Sequence, residues 1–221
     1  MSTVRRDYKA PTARGDVLIA SDADFVRTET GVEDAAYFNI CDFISGPLAL
    51  WLGRRRKARL RVCHFDAVLD QPWAFVSFQP GELILNADRG IWSDASIAEP
   101  ESRYILGHEI GHLVLHSHYD SAFSRDPALQ LAPFLDEEST EWQANRFAPH
   151  FLVPVRLARL LGSVSAIMSQ CAVSREVAQE RYAAAYPKPK ADLSATLCNK
   201  CGGLIVTRDG APDPCRGCEG S

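Results

Sequence analysis

Residues 105–118 read ILGHEIGHLVLHSH and hold four of the chain's six histidines. Tyr104, Ile105, Leu113, Val114 and Leu115 make the flanks of this stretch apolar, so it must bury at least one face. On a helix, His108 and His112 stand about 40° apart and one turn along, so both imidazoles reach a single ion. Two buried histidines with a glutamate between them need partners. The fold must therefore deliver at least one more ligand to this helix from elsewhere in the chain. Glu109 points roughly a quarter turn from His108, where it can meet a water on the ion without binding the ion itself. Zinc lowers the pKa of such a water to around 7, and a neighbouring carboxylate can accept its proton. That is the chemistry of peptide-bond hydrolysis, with Glu109 as general base.

Two routes lead to a third ligand. The first is His118, ten residues after His108, as in the metzincin pattern HExxHxxGxxH. That pattern leaves the helix at a glycine, and this chain has Leu115 there. If the helix continues, His118 falls about 80° short of a whole number of turns and cannot close on the same ion. The second route is a carboxylate from the helix expected over Asp136–Phe151, DEESTEWQANRFAPHF. Glu137, Glu138 and Glu141 all compete for the role. Ala144, Phe147 and Ala148 allow that helix to approach the first closely, and Asn145, one turn beyond Glu141, can support a ligand from behind. His64, His116, His118 and His150 are expected to be non-ligands, with His116 packing or hydrogen-bonding.

The tail, LCNKCGGLIVTRDGAPDPCRGCEGS, pairs Cys198-x-x-Cys201 with Cys215-x-x-Cys218 across thirteen residues. Four thiolates so spaced make a closed tetrahedral zinc site, structural and not catalytic. So short a module cannot fold on a core alone, so metal drives its folding. Lys200, Arg208 and Arg216 are balanced by Asp209, Asp213 and Glu219, which suits protein recognition better than nucleic acid. Cys41, Cys63 and Cys171 read as buried small hydrophobes.

The rest of the pattern sets the organisation. The chain has 221 residues and a net charge of −4, which does not suit a surface devoted to nucleic acid. With no apolar leader and no run long enough to span a bilayer, a cytoplasmic protein is expected, and the cysteines are then metal ligands or thiols. Residues 1–30 read as an N-terminal arm, 31–186 as the main domain, 187–196 as a linker and 197–221 as a zinc ribbon. Helical periodicity runs from Val32 to Leu52, broken at Gly46-Pro47 and stopped at Gly53. Arg59–Val62 alternates like a strand, and WAFVSFQPGELILN reads as two strands about a Pro-Gly turn. Helices are expected over Pro100–Leu115, Leu157–Met168 and Ser174–Ala185, the last capped by Ser174.

HEIGHLVLH followed by E-x-x-A-N-x-F-A and a Val-Pro ending resembles the ImmA/IrrE family of zinc-dependent proteins. The resemblance covers about residues 32–185, with its specific motifs between 83 and 154. It implies an α+β, zincin-like metallopeptidase core: a small, mostly antiparallel sheet, the HExxH helix, and a helical bundle after it, here with the ribbon appended. It implies Glu141 as the third ligand beside His108 and His112, and zinc as the ion, with manganese as the alternative. It also implies a protein substrate, commonly a helix-turn-helix repressor whose cleavage relieves repression. The first thirty residues are too short to hold such a domain, so the repressor would be a separate chain. The rival readings are a regulatory protein that docks partners through the ribbon, and a toxin–antitoxin or phage-related component of the same fold. Glu109 argues against a purely structural metal.

Overall fold

The computed structural model describes residues 9–10, 12–69, 71–116, 135–187, 193–198, 204–208 and 211–212. The chain divides into two compact units, Met1–Tyr186 and Pro187–Ser221. The larger unit is α+β, a three-stranded sheet among helices. Its strands are β1 (Arg59–Phe65), β2 (Ala74–Gln79) and β3 (Glu82–Asp88), in the order β1-β3-β2. The β2–β3 hairpin turns at Gly81, whose φ of 75° suits a residue without a Cβ. This hairpin is antiparallel, but β1 joins the other edge of β3 and runs parallel to it, Arg59 against Glu82 and Phe65 against Asp88. The sheet is therefore mixed, not mostly antiparallel. Strand alternation and turn residues specify the hairpin, but not the edge a third strand will choose. As the central strand, β3 buries Leu83, Ile84, Leu85 and Ala87.

The second half of the segment expected as an arm is helical. Helix α1 (Asp16–Glu29) places Ile19, Ala23 and Val26 in the core with no exposed surface. Only three positions of its fourteen are apolar and fully buried, too thin a stripe to stand out among the aspartates. Next come α2 (Ile40–Phe43), a π-helical turn (Ile44–Leu48) and α3 (Ala49–Arg56). Gly46-Pro47 thus does not break the helical path. Pro47 offers no N–H and would clash in an α ladder, and the wider turn absorbs it. Nor does Gly53 stop the helix, which runs on to Arg56 and ends with Lys57 at φ 51°.

Between β3 and the histidine helix stands α4 (Arg89–Ser96). The Asp88 carboxylate caps it, accepting from the amides of Gly90 and Ile91 at 2.8 and 3.2 Å. The histidine helix is α5 (Pro100–Leu115), with the expected bounds. A 3-10 turn at Asp136–Glu138 leads into α6 (Thr140–Leu152), so the expected single helix from Asp136 begins later. The helix expected over Leu157–Met168 is two, α7 (Val155–Leu161) and α8 (Val164–Cys171). Gly162 turns left-handed at φ 68°, and Ser163 caps α8 through the Ala166 amide. Helix α9 (Arg175–Ala185) is capped by Ser174, as its sequence predicts.

Three buried arginines tie these helices together. Arg27 donates to the Phe151 carbonyl at 2.8 Å, Arg181 to Val153 at 2.9 Å and Arg103 to Ala172 at 3.1 Å. Each carbonyl lies at a helix C-terminal end, where backbone oxygens lack intrahelical donors and the dipole favours a cation. Burial lowers the Arg27 pKa to about 10, which still leaves it charged. Cys41 and Cys171 are buried as expected, and burial lifts both thiols to about 11, but Cys63 is only half-buried.

In the smaller unit, β4 (Leu193–Leu197) pairs antiparallel with β5 (Leu204–Arg208), and β5 with β6 (Ala211–Pro212). Residues 193–196, expected to be linker, thus belong to a strand. Among the described residues no helix is long and apolar enough to cross a membrane.

Candidate metal centre

Helix α5 is anchored at its start by Glu99, whose carboxylate accepts from the amides of Glu101 and Ser102 at 3.1 and 2.6 Å, with Pro100 opening the first turn. Further along, Gly107 and Gly111 bring it onto α6. A Cβ at Gly111 would lie 3.1 Å from both the Ala144 Cα and the Phe147 Cβ; one at Gly107 would lie 3.4 Å from the Ala148 Cβ. Helix α6 is capped by Ser139, whose hydroxyl accepts from the Trp142 amide at 2.8 Å. This contact sets the first turn of α6, and with it Glu141, over the histidines.

Three side chains converge there. His108 Nε2 and His112 Nε2 are 3.0 Å apart, and the Glu141 carboxylate lies 3.4 Å from each. Their donor atoms all fall within 4.8 Å of one another, and among the described residues this is the group that could hold a metal. Two ligands of one tetrahedral zinc lie roughly 3.3 Å apart, given bond lengths of about 2.0–2.1 Å. The spacing and the N, N, O donor set therefore fit zinc. Burial works against the charge of Glu141, but its contacts with the His108 and His112 imidazoles outweigh that and hold its pKa well below the usual carboxylate range. Of the rival carboxylates, Glu138 turns away, meeting Lys9 at 3.0 Å and the Leu135 amide at 3.1 Å. His64 stacks edge-on to Trp92, and His150 meets Asp16 at 3.0 Å. His118 lies outside the described residues.

Each imidazole is held from behind. Asn145 Oδ1 lies 2.9 Å from His108 Nδ1. His112 Nδ1 lies 3.1 Å from His116 Nδ1, and His116 Nε2 lies 3.0 Å from Gln143 Oε1. Burial, reinforced by the neighbouring His112, depresses the His116 pKa to about 3 and keeps it neutral. Gln143 has no exposed surface and donates to the carbonyls of Thr12 and Glu137 at 2.9 and 2.7 Å. Sequence reasoning missed Gln143. The clue available was its place on α6, two residues after Glu141, opposite a histidine one turn past His112.

Beside these groups opens a cleft of about 310 Å³, lined by His108, Glu109, Glu141 and Asn145 together with Trp73, Tyr104 and Ile105. Glu109 is nearly buried, at 2% exposure, yet it faces the same space as two of the three converging groups. Of the four cysteines of the expected ribbon, Cys198 comes directly after strand β4 and is buried, while Cys201, Cys215 and Cys218 lie outside the described residues.

Residues 78–182 match the family model of the IrrE N-terminal-like domain, a peptidase family. Over these residues the chain carries an IrrE N-terminal-like domain, the kind found in the ImmA/IrrE family. The IrrE-like domain so defined spans β3 through most of α9 and contains every group at the convergence. A solved structure of a Mycobacterium tuberculosis transcriptional regulator is similar at 16% identity and a TM-score of 0.46, over 87% of this chain. The chain spans 55% of that protein's length. No curated protein sequence matches the chain.

Proposed function

We propose that the chain is a zinc-dependent metalloendopeptidase, with His108, His112 and Glu141 as the metal ligands and Glu109 as the general base. The observation that carries this reading is the convergence of the three donors at zinc spacing on a cleft that Glu109 also lines. The chemistry such an ion supplies when bound is Lewis acidity, polarising a peptide carbonyl and acidifying a water. The Glu109 carboxylate takes the proton from the attacking water and delivers it to the departing amide nitrogen. Asn145 fixes the ring of His108 through Nδ1.

The substrate in this reading is a regulatory protein, a helix-turn-helix repressor on a separate chain, cleaved in the cytoplasm to change transcription. Cys198, Cys201, Cys215 and Cys218 hold a second, structural zinc, and the ribbon they form recruits protein and not nucleic acid. Manganese is the alternative ion at the catalytic site. The test is to incubate the zinc-loaded protein, its Glu109→Gln variant and its His112→Ala variant with a repressor encoded nearby. Glu109→Gln should keep zinc and lose cleavage, because an amide cannot accept the proton. His112→Ala should lose both. Equal loss of zinc in the two variants would make Glu109 a ligand and overturn the mechanism.

A further inference from the structure

The residues behind His112 form a chain of hydrogen bonds whose direction is fixed from its far end. Gln143 Nε2 sits 2.9 Å from the Thr12 carbonyl and 2.7 Å from the Glu137 carbonyl. Carbonyls only accept, so the NH2 end of the amide must face them. That turns Gln143 Oε1, an acceptor, toward His116 Nε2 at 3.0 Å, so Nε2 must carry the proton of His116. A neutral imidazole carries one proton, so His116 Nδ1 is bare. It faces His112 Nδ1 at 3.1 Å, which must then be the protonated nitrogen of His112. The remaining nitrogen, His112 Nε2, is left with its lone pair, and this is the atom 3.0 Å from His108 Nε2 and 3.4 Å from Glu141. The opposite assignment sets two acceptors face to face between His116 and Gln143.

We propose that Gln143, acting through His116, is a positioning residue that locks His112 in the tautomer able to bind metal, and that the Thr12 carbonyl on the N-terminal segment is an anchor of this lock. The segment is held in place by the Lys9–Ser139 bridge and by the Arg14 amide, which donates to Glu137 at 2.8 Å. The folded N-terminal segment therefore reaches the metal centre through two side chains. The inference rests on the reading of His112 as a metal ligand but not on peptide cleavage.

The test is long-range proton–nitrogen correlation NMR on zinc-loaded protein labelled at its histidines, which reports which ring nitrogen bears the proton. His116 should be the Nε2–H tautomer and His112 the Nδ1–H tautomer. Finding His116 protonated at Nδ1 in the unaltered chain would overturn the proposal, and this readout needs no variant to fold. Zinc affinity by chelator competition then tests the linkage. Gln143→Met and His116→Phe should each weaken zinc about 10- to 100-fold, as loss of a ligand's supporting partner does. In the His116→Phe background, Gln143→Met should have little further effect, because the chain is already cut. Full multiplication of the two losses would show that Gln143 acts on its own, and would also sink the idea. Failure of cleavage with these results intact would count against the peptidase reading alone.

Discussion

The amide oxygen of Asn145 lies 2.9 Å from Nδ1 of His108. Both residues sit on rigid helices, Asn145 one turn past Glu141, so a single face of α6 supplies a carboxylate to the convergence and a support to the ring beside it. The oxygen can only accept, so His108 Nδ1 carries the proton and Nε2 is free to bind a metal. Asn145→Leu should lower zinc affinity about 10- to 100-fold, while Asn145→Asp, which keeps the acceptor, should retain most of it. Chelator competition checks both. Unchanged affinity in Asn145→Leu would show that packing alone orients His108.

The two glycines of α5 should respond differently to a methyl group. At Gly111 a Cβ would press on the Ala144 backbone at 3.1 Å, and a backbone atom cannot swing aside. Gly111→Ala should cost about 1–3 kcal/mol of overpacking, more than the roughly 1 kcal/mol gained in helix propensity. It should also weaken zinc, because it pushes Glu141 away from the histidines. At Gly107 the new contact is an ordinary one with the Ala148 Cβ, so Gly107→Ala should be neutral or mildly stabilising. Thermal melts of the two metal-free variants, side by side, decide the matter.

The convergence was more legible in the sequence than the frame around it. HEIGH fixes two ligands by helical geometry, and the motif of the second helix, through its resemblance to a family, points to Glu141, where spacing alone left Glu137 and Glu138 open. What the sequence concealed was decided by contacts distant along the chain. Arg27 and Arg103 look like surface cations, but their partners are carbonyls at helix ends, which no side-chain pattern announces. Helix α1 looks like polar tail because its buried stripe is narrow and its charges are spent on α6, through Asp16 and Arg146 at 2.7 Å. The parallel placement of β1 depends on which edge of β3 is open, and periodicity is silent on that. Gln143 was missed because its role requires three partners from three separate segments.

The junction of α1 with α6 should be acid-sensitive. His150 is buried against Asp16, with Nε2 3.0 Å from Oδ1. Burial, and then the charge of Arg181, lower the His150 pKa against the opposing pull of Asp16. Burial disfavours the Asp16 charge as well, but hydrogen bonds from Arg146 and His150 outweigh it and place that pKa below the usual value. Both groups therefore bind protons more readily in the unfolded chain, so stability falls as pH falls. The His150 part begins below its unfolded pKa of about 6.5, and the Asp16 part below about 3.9. In metal-free protein the denaturant midpoint should drop between about pH 7 and pH 5, and the drop should be shallower in His150→Gln. Parallel pH profiles for the two proteins would rule out His150 as the cause.

Metal stoichiometry separates the two proposed zinc sites. The larger unit, Met1–Tyr186, contains His108, His112 and Glu141, and the smaller one, Pro187–Ser221, contains all four ribbon cysteines. The full chain should bind two zinc ions, and a chain ending after Pro187 should bind one. The sites should also differ in chemistry. A four-thiolate site binds soft ions tightly and has no open position, whereas an N, N, O site keeps a place for water. Cobalt substitution should therefore give intense thiolate charge-transfer absorption in the full chain and lose it on truncation, while the weaker bands of the N, N, O site remain. Removal of Cys215 and Cys218 together should abolish the same absorption without touching the second metal. If truncation leaves both the zinc count and the spectrum unchanged, the four cysteines hold no metal, and the ribbon is not a ribbon.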